Sequence, residues 1–285
     1  MNSPSAILAP AKINLVLRVL RKRDDGYHDI FSVMQPVSLY DELFIEAGPG
    51  EGISISSGSI EVPSDRGNLA YRAAEVFLRK SGIKKRVGIR IKKNIPVAAG
   101  LGGGSSDGAA VLMGLNALLK TGFDEAALMD MASLIGSDAP FFILNSPAVA
   151  TGRGTVLRRA SLPQYHYILV NPGFKVPTKW VYDNLDLTKK FEDNILTYSE
   201  ESLNNIERLK DCLINDLEAV TLRRFPEILA HKNALIEAGA SGALQSGSGP
   251  TVFGVFRDGG EAAKAFNNLK QRLPGESSLF LVRGL

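Results

Sequence analysis

The residues with the clearest chemical signature form a glycine-rich loop in the first half of the chain. The loop has the sequence Pro96-Val97-Ala98-Ala99-Gly100-Leu101-Gly102-Gly103-Gly104-Ser105-Ser106-Asp107. Its glycines let the backbone adopt left-handed conformations and bring N–H groups close to a ligand. The apolar stretch that follows predicts a helix over 105–119, whose first N–H groups and dipole favour an anion. We therefore expect the loop to bind a polyphosphate, although it is neither a Walker A motif nor a dinucleotide fingerprint.

Phosphate transfer also needs a group that handles the proton of the acceptor hydroxyl and a positive charge. Asp138 is a carboxylate in a predicted tight turn, Gly136-Ser137-Asp138-Ala139-Pro140, directly before an aromatic stretch. An Asx turn or a helix cap is the simpler interpretation of Asp138 from the pattern alone. Lys12 shares one face of an alternating strand, 12–20, with Asn14, although most strand lysines are solvated. Both residues are candidates for the chemistry.

Two further segments offer groups that suit a nucleotide. The loop Gln245-Ser246-Gly247-Ser248-Gly249-Pro250-Thr251 supplies N–H and hydroxyl donors, unless it is a plain connector. Tyr27 and His28 follow the turn Arg23-Asp24-Asp25-Gly26, where Tyr27 can stack on a base and His28 can bond its edge. Surface packing is the alternative for this pair. Lys93, at the end of a short basic cluster near the glycine-rich loop, could meet a phosphate.

Several classes of protein are excluded by what the chain lacks. The three histidines have no metal-ligand spacing, which argues against a zinc site. The single Cys212 excludes a disulfide framework and fits a reducing compartment. No Gly-x-Ser-x-Gly elbow supports Ser-His-Asp hydrolysis.

The elements that must position these residues mix strand runs and helix runs, which predicts an α+β fold. Alternation or apolar runs predict strands at 12–20, 30–46 with an interruption at Pro36, 87–91, 141–144, 165–170, 252–256 and 279–282. Apolar stripes and caps predict helices from the Asn68 cap to Gly82, at 105–119, around 128–135, through most of 178–238, and at 262–273. The pattern is thinnest near Gly152-Arg153-Gly154, which predicts two domains, 1–152 and 153–285.

Composition agrees with an ordinary globular protein. The 285 residues are 45% hydrophobic and 22% charged, with a net charge of +3, which excludes intrinsic disorder. The balanced charge argues against a nucleic-acid partner, and no apolar run reaches the length of a membrane span. Because the N-terminus also lacks the pattern of a signal peptide, we expect a cytoplasmic protein without a membrane partner. Composition predicts no oligomeric state.

Taken together, the segments resemble the GHMP small-molecule kinases and, among them, the family that phosphorylates 4-diphosphocytidyl-2-C-methyl-D-erythritol. The resemblance is carried, in chain order, by Pro10-Ala11-Lys12-Ile13-Asn14-Leu15, Arg23-Asp24-Asp25-Gly26-Tyr27-His28, the loop 96–107, Gly136-Ser137-Asp138-Ala139-Pro140-Phe141-Phe142 and Ser246-Gly247-Ser248-Gly249-Pro250. It implies a ribosomal-protein-S5-domain-2-like N-terminal domain and a ferredoxin-like C-terminal domain. It also implies an ATP-dependent enzyme that uses Mg²⁺ and a small-molecule cytidine diphosphate substrate.

The resemblance further implies a role for each candidate residue. Asp138 would be the base, Lys12 would polarise Asp138 and the hydroxyl, and residues 96–106 would hold the ATP phosphates. A hydroxyl of Ser105 or Ser106 would contact magnesium. The cytidine diphosphate end would be held by six residues, of which the two tyrosines sandwich cytosine: Asn14, Tyr27, His28, Lys93, Thr178 and Tyr182.

Some positions depart from the family pattern, and two alternatives stay open. Ala98 and Ala99 stand where glycine is frequent, and Gln245 stands where methionine is common. A sister kinase acting on mevalonate, homoserine or a sugar is the first alternative, against which Tyr27-His28 argues. A nucleic-acid-binding protein is the second, and it would need a larger basic face.

Overall fold

The computed structural model describes residues 6–187, 200–273 and 275–285, so the helix predicted across 188–199 lies outside the described residues. The strands are β1 (Ile7–Lys22), β2 (His28–Gly48), β3 (Gly52–Ser57), β4 (Arg86–Lys92), β5 (Ala148–Gly152), β6 (Val156–Arg159), β7 (His166–Asn171), β8 (Ile214–Asn215), β9 (Gly242–Gln245), β10 (Val252–Phe256) and β11 (Ser278–Arg283). The helices are α1 (Leu69–Ser81), α2 (Gly103–Leu119), α3 (Glu125–Ser133), α4 (Ala139–Leu144), α5 (Thr178–Asp183), α6 (Glu200–Leu203), α7 (Ile206–Cys212), α8 (Glu218–Arg224), α9 (Pro226–Glu237) and α10 (Gly259–Arg272). The predicted α+β class is confirmed.

The chain divides into two compact units that are each built from separate stretches. Unit 1 contains residues 6–11, Leu39–Val97 and Gly102–Ser146. Unit 2 contains Lys12–Ser38, Ala98–Leu101 and the described part of Pro147–Leu285. Strands β1 and β2 and the glycine-rich loop therefore contribute residues to both units. The division into 1–152 and 153–285 stays a prediction.

Unit 1 pairs a three-stranded ladder with helices that cover it. Strand β4 lies antiparallel to β2 and parallel to β3. Helix α1 begins where the side chain of Asn68 accepts a hydrogen bond from the N–H of Ala70, and it ends at Gly82, whose φ of 68° favours glycine. The alanines and Phe77 on its buried face pack it against α2. These caps are the ones that the sequence predicts.

Unit 2 contains an antiparallel sheet with the strand order β11-β7-β10-β9. Its inner face packs against α9 and α10, where Ile168, Leu235 and Leu269 are fully buried. In the same unit β5 pairs with β2 and β6, and β8 pairs parallel to β1. The turn between β9 and β10 is the second glycine-rich loop, so the sheet fixes both ends of that loop.

Two predicted strand features are wrong. Residues 141–144 belong to helix α4 and are not a strand. A run of four apolar residues cannot distinguish the two, whereas Pro140 in the first turn suits a helix. Strand β2 also runs through Pro36 without the predicted interruption. Pro36 lies between the ladder with β5, which ends at Met34, and the ladder with β4, which begins at Glu42, so its missing N–H costs neither ladder a hydrogen bond.

Two further corrections concern burial and a loop. The first part of the segment predicted as a half-buried strand is buried on both faces, since Lys12, Asn14 and Val16 are each no more than 5% exposed, whereas Leu20 at its end is 46% exposed. Strand β9 occupies the first half of the stretch predicted as a loop from Gly239 to Pro250. The stretch 178–238, predicted as mainly helical, contains separate short helices, and α6 and α7 are two of them because the chain turns between Leu203 and Ile206.

Candidate active site

Lys12 is a buried lysine whose position is fixed by two polar neighbours on strands. Its Nζ donates to Asn14 Oδ1 at 2.6 Å, and the Nδ2 of Asn14 donates to Ser32 Oγ at 2.9 Å. Ser32 in turn donates to the carbonyl of Val16 at 2.6 Å. All residues in this series of hydrogen bonds are buried, so residues of β1 and β2 hold the ammonium of Lys12 in one place. The alternative of a solvated strand lysine is wrong.

The two glycine-rich loops touch through backbone atoms within unit 2. Ser246 Oγ donates to the carbonyl of Gly100 at 3.0 Å, and the N–H of Thr251 donates to the carbonyl of Ala99 at 3.3 Å. A Cβ on Gly100 would lie 2.1 Å from the carbonyl oxygen of Ser246, and one on Gly249 would lie 2.1 Å from the nitrogen of Gly100. Only glycine fits at either position. The segment 245–251 is therefore not a plain connector.

Lys12 lies beside this contact. Its backbone N–H donates to the carbonyl of Leu101 at 2.9 Å. A Cβ placed on Gly247 would lie 3.4 Å from Lys12 Nζ and 3.3 Å from Asn14 Oδ1. The ammonium thus lies close to the backbone of the second loop.

The end of the first loop, in unit 1, leads into α2 with a geometry suited to an anion. Gly102 precedes the helix in a left-handed conformation, with φ of 71°, and in the part of the chain that the structure describes no side chain caps α2. The N–H groups of the first turn of a helix have no intrahelical acceptor. Ser106 Oγ is buried and has no hydrogen-bond partner among the described residues. The start of α2 therefore has N–H groups that can donate to an anion and a hydroxyl oxygen, that of Ser106, that can bind a cation.

Asp138, also in unit 1, precedes α4. Its side chain is partly buried and makes no capping hydrogen bond with the helix. Asp138 thus occupies the N-cap position of α4 that the simpler interpretation gives it, without the side-chain hydrogen bond of a cap. The pairing of Asp138 with Lys12 stays a prediction.

Lys93 lies between two buried carboxylates of unit 1. Its Nζ forms ion pairs with Asp41 and, at 2.9 Å, with Asp107 Oδ2. The other oxygen of Asp41 accepts from the N–H groups of Asn94 and Ile95 at 2.7 and 2.9 Å. Burial raises the pKa of Asp107 to about 7; the charge of Lys93 opposes this shift and that of Asp41 adds to it. Burial alone would lower the pKa of Lys93, but the two carboxylates raise it.

The aromatic candidates of unit 2 form two contacts. The ring of His28 lies 5.0 Å from that of Tyr182, tilted by 33°. Tyr27 is half exposed, and the guanidinium of Arg153 lies 4.3 Å from its ring centroid. Thr178, at the start of α5, is hydrogen-bonded to the hydroxyl of Ser248 at 2.8 Å. Of the six residues predicted at the cytidine end, the structure therefore groups His28 with Tyr182 and links Thr178 to the second glycine-rich loop.

Comparison with known proteins decides the family. The model of the GHMP kinases N-terminal domain matches residues 68–146, and that of the GHMP kinases C-terminal domain matches residues 196–275. A 4-diphosphocytidyl-2-C-methyl-D-erythritol kinase of Syntrophotalea carbinolica is 47% identical over 94% of this chain and 95% of its own length. The chain belongs to this family of GHMP kinases.

Other members and more distant GHMP kinases agree. The kinase of the same name from Syntrophus aciditrophicus is 44% identical over 98% of this chain and 99% of its own. A crystal structure of 4-(cytidine 5'-diphospho)-2C-methyl-D-erythritol kinase superimposes with a TM-score of 0.84 at 35% identity, covering 99% of this chain and all of the other. A homoserine kinase from Cytophaga hutchinsonii, 18% identical with a TM-score of 0.72, shares the fold.

Two features are absent from the described residues of this GHMP kinase. In residues 6–187, 200–273 and 275–285 no helix is long and apolar enough to cross a membrane. The same residues contain no group of three His, Cys, Asp or Glu side chains that could hold a metal ion. A cytoplasmic location stays a prediction.

Several residues that build the site of this GHMP kinase escaped the sequence analysis. Ser32, Asp41, Asn215 and Thr221 are buried polar residues in ordinary element positions, without a local motif. Each contacts a site residue that is 18 or more positions away. Arg153, which contacts the ring of Tyr27, differs from these residues because the sequence places it in a recognisable turn between two glycines.

Proposed function

We propose that the chain transfers the γ-phosphoryl group of ATP to the 2-hydroxyl of 4-diphosphocytidyl-2-C-methyl-D-erythritol, in the non-mevalonate route to isoprenoid precursors. The observation that carries the proposal is the buried ammonium of Lys12, held by Asn14 beside two glycine-rich loops that touch. A fixed cation next to a phosphate-binding backbone suits phosphoryl transfer, which depends mainly on positioning and charge stabilisation. The identity to kinases of that name supports the choice of acceptor.

The ATP phosphates would lie against residues 96–106. The glycine backbone and the first turn of α2 offer N–H donors there, and the N-terminal dipole favours negative charge. Ser106 Oγ, buried and unpartnered in the described residues, fits a Mg²⁺ ligand better than an apolar contact. When bound, the ion would neutralise charge on the phosphates.

In this proposal Asp138 accepts the proton of the substrate hydroxyl as the hydroxyl oxygen attacks the γ-phosphorus, and the bond from that phosphorus to the bridging oxygen breaks to release ADP. Lys12 orients the carboxylate and stabilises the charge that develops on the transferred group. Asn14 keeps the ammonium in place through a neutral acceptor. The partly buried setting of Asp138 limits competition from water.

The cytidine diphosphate end would be held by the aromatic residues of unit 2. Tyr27 and Tyr182 offer flat faces for cytosine, and His28 offers a ring nitrogen to its edge. Burial, and secondarily the charge of Lys22, lower the pKa of His28, so its ring is neutral and can either donate or accept. Asn14, Lys93 and Thr178 complete the proposed set. We further propose the ribosomal-protein-S5-domain-2-like and ferredoxin-like folds for domains 1–152 and 153–285.

The test is a coupled ATPase assay with the cytidine diphosphate methylerythritol against mevalonate and homoserine. We expect turnover with the first only; turnover with mevalonate or homoserine instead would favour the sister kinases. Asp138→Asn should retain ATP binding and lose at least about 100-fold in kcat, the usual scale for the loss of a general base. The matched control is Asp130→Asn, at an exposed position of α3, which should behave as the unmodified chain. Unchanged turnover in Asp138→Asn would remove this carboxylate from the mechanism.

A further inference from the structure

Gln245 is a fully buried polar residue at the start of the second glycine-rich loop. It is the last residue of β9 and is 0% exposed. Its Oε1 accepts from Thr221 Oγ1 of α8, and its Nε2 donates to the carbonyl of Gly249 at 2.8 Å. One side chain thereby ties the far end of the loop to the helix behind it.

The backbone of the same residue is held from the same side. Its N–H donates to Glu218 Oε1 at 2.8 Å, and its carbonyl accepts from Asn215 Nδ2 at 2.9 Å. Asn215 Nδ2 also donates to the carbonyl of Gly247 at 2.7 Å. The segment from β8 to α8 therefore anchors the loop at residues 245 and 247, and the side chain of Gln245 anchors it at Gly249.

The other side of this loop lies against the candidate ATP site. The carbonyl of Ser246 and the backbone of Gly249 approach Gly100 as closely as glycine permits. Gly247 lies next to the ammonium of Lys12. A shift of the loop would therefore move the Ala99–Gly100 backbone and the surroundings of Lys12 together.

In this chain the two partners of the side chain at position 245 suit an amide. The carbonyl of Gly249 can only accept, so the NH₂ end must face it, and the carbonyl end is left for the hydroxyl of Thr221. A methionine of similar length would fill the space but remove the donor to the carbonyl of Gly249, and it would leave the Thr221 hydroxyl with its contact to the carbonyl of Leu217 at 3.2 Å. A glutamate would accept from Thr221 and set a negative oxygen against the carbonyl of Gly249.

We propose that Gln245 is a positioning residue for ATP: with Thr221 it fixes the second glycine-rich loop against the Ala99–Gly100 backbone and so sets the affinity for the nucleotide phosphates. This proposal rests on the proposed function, which assigns the ATP phosphates to the first glycine-rich loop, 96–106. Gln245 itself touches neither the nucleotide nor the acceptor.

The experiment compares Gln245→Met with Gln35→Met. Gln35 is also buried, in β2, and its Nε2 donates to the carbonyls of Pro36 and Leu285, away from the glycine-rich loops. Both variants should lower Tm. Only Gln245→Met should raise the KM for ATP and the Kd of a non-hydrolysable ATP analogue, by about tenfold or more, since buried partners lose their hydrogen bonds. Its kcat at saturating ATP and its Kd for cytidine diphosphate should stay within about threefold.

Thr221 provides an independent variant that carries the test even if Gln245→Met does not fold. Thr221→Val removes the hydroxyl at nearly constant volume and should weaken ATP binding, whereas Thr221→Ser should restore it. The double variant with Gln245→Met should bind ATP no more weakly than Gln245→Met alone, because the two residues share one bond.

The outcomes separate the two proposals. ATP affinity unchanged in folded Gln245→Met or Thr221→Val, or weakened equally in Gln35→Met, would overturn the positioning role. An unmodified chain that binds the ATP analogue yet does not phosphorylate the cytidine diphosphate substrate would overturn only the proposed function. The analogue affinities of the variants would still decide the role of Gln245.

Discussion

The contact between the two glycine-rich loops makes a sharp prediction for Gly249→Ala. The added Cβ would lie 2.1 Å from the nitrogen of Gly100 and 2.2 Å from the carbonyl carbon of Ala99. Favourable contacts of carbon with other heavy atoms begin at about 3.5 Å, so the methyl group overlaps the opposite backbone by more than about 1 Å. Because backbone atoms form the obstacle, no side-chain rotation relieves the overlap. The loops must move apart.

The magnitude follows from that displacement. Forcing an extra methyl group into a packed contact costs about 1–3 kcal/mol, which corresponds to a Tm lower by about 2–4 °C per kcal/mol in a chain of this size. A misplacement of about 1 Å at a reacting site lowers the rate by about 100-fold. We therefore expect kcat/KM for ATP to fall by about two orders of magnitude, far more than the loss of stability would explain.

The assay is steady-state kinetics with varied ATP, well below the Tm of the variant. Gly58→Ala is the matched control, since a Cβ at Gly58 meets nothing within 4 Å and its φ is not positive. That variant should retain the kinetics of the unmodified chain. If Gly249→Ala keeps kcat/KM within about twofold, the close approach of the loops has no functional consequence and the reasoning is refuted.

Two further predictions concern the buried polar groups. Because burial raises the pKa of Asp107 from 3.8 to about 7, the native chain binds a proton that the unfolded chain releases, and the free energy of unfolding should fall as pH rises through this window. Asp107→Asn cannot ionise, so its Tm between pH 5 and 8 should fall less than that of the unmodified chain; parallel Tm profiles would contradict the assignment. Ser32→Ala removes the acceptor of Asn14 Nδ2 and should cost about 1–3 kcal/mol of stability and lower kcat, as measured by denaturation and saturating kinetics. A kcat equal to that of the unmodified chain would show that Lys12 does not depend on this hydrogen-bonded chain.

Local signals predicted the elements well where caps or long periodic stretches exist. Asn68 and Gly82 bound α1 as expected, and the strand Val252–Phe256 has the predicted bounds. Period and capping are properties of neighbouring residues, so the sequence contains them directly. The strand prediction for residues 141–144 was wrong because a run of four apolar residues is compatible with a helix as well as a strand.

The motifs of the candidate site could be predicted from the sequence, but the buried residues that hold those motifs in place could not. The glycine-rich loop and Lys12 carry recognisable types and spacings, whereas the burial of Lys12 depends on elements that cover both faces of β1. Asp41 pairs with Lys93 across 52 positions, and Thr221 meets Gln245 across 24. Such pairings follow from tertiary packing, which a single sequence does not encode in any local pattern.

The two buried lysines show why the chemistry of their partners matters more than their distance from the phosphate loop. Asn14 holds Lys12 with a neutral oxygen, and that contact fixes the ammonium without cancelling its charge. Two carboxylates surround Lys93, so the three groups carry a net negative charge when all are ionised. Burial is the main cause of the raised pKa of Asp107 and the charge of Asp41 adds to it, and a proton on Asp107 makes the three groups neutral. A phosphate drawn to Lys93 would have to displace a carboxylate from it. Lys93 therefore links the start of α2, through Asp107, to β2, through Asp41.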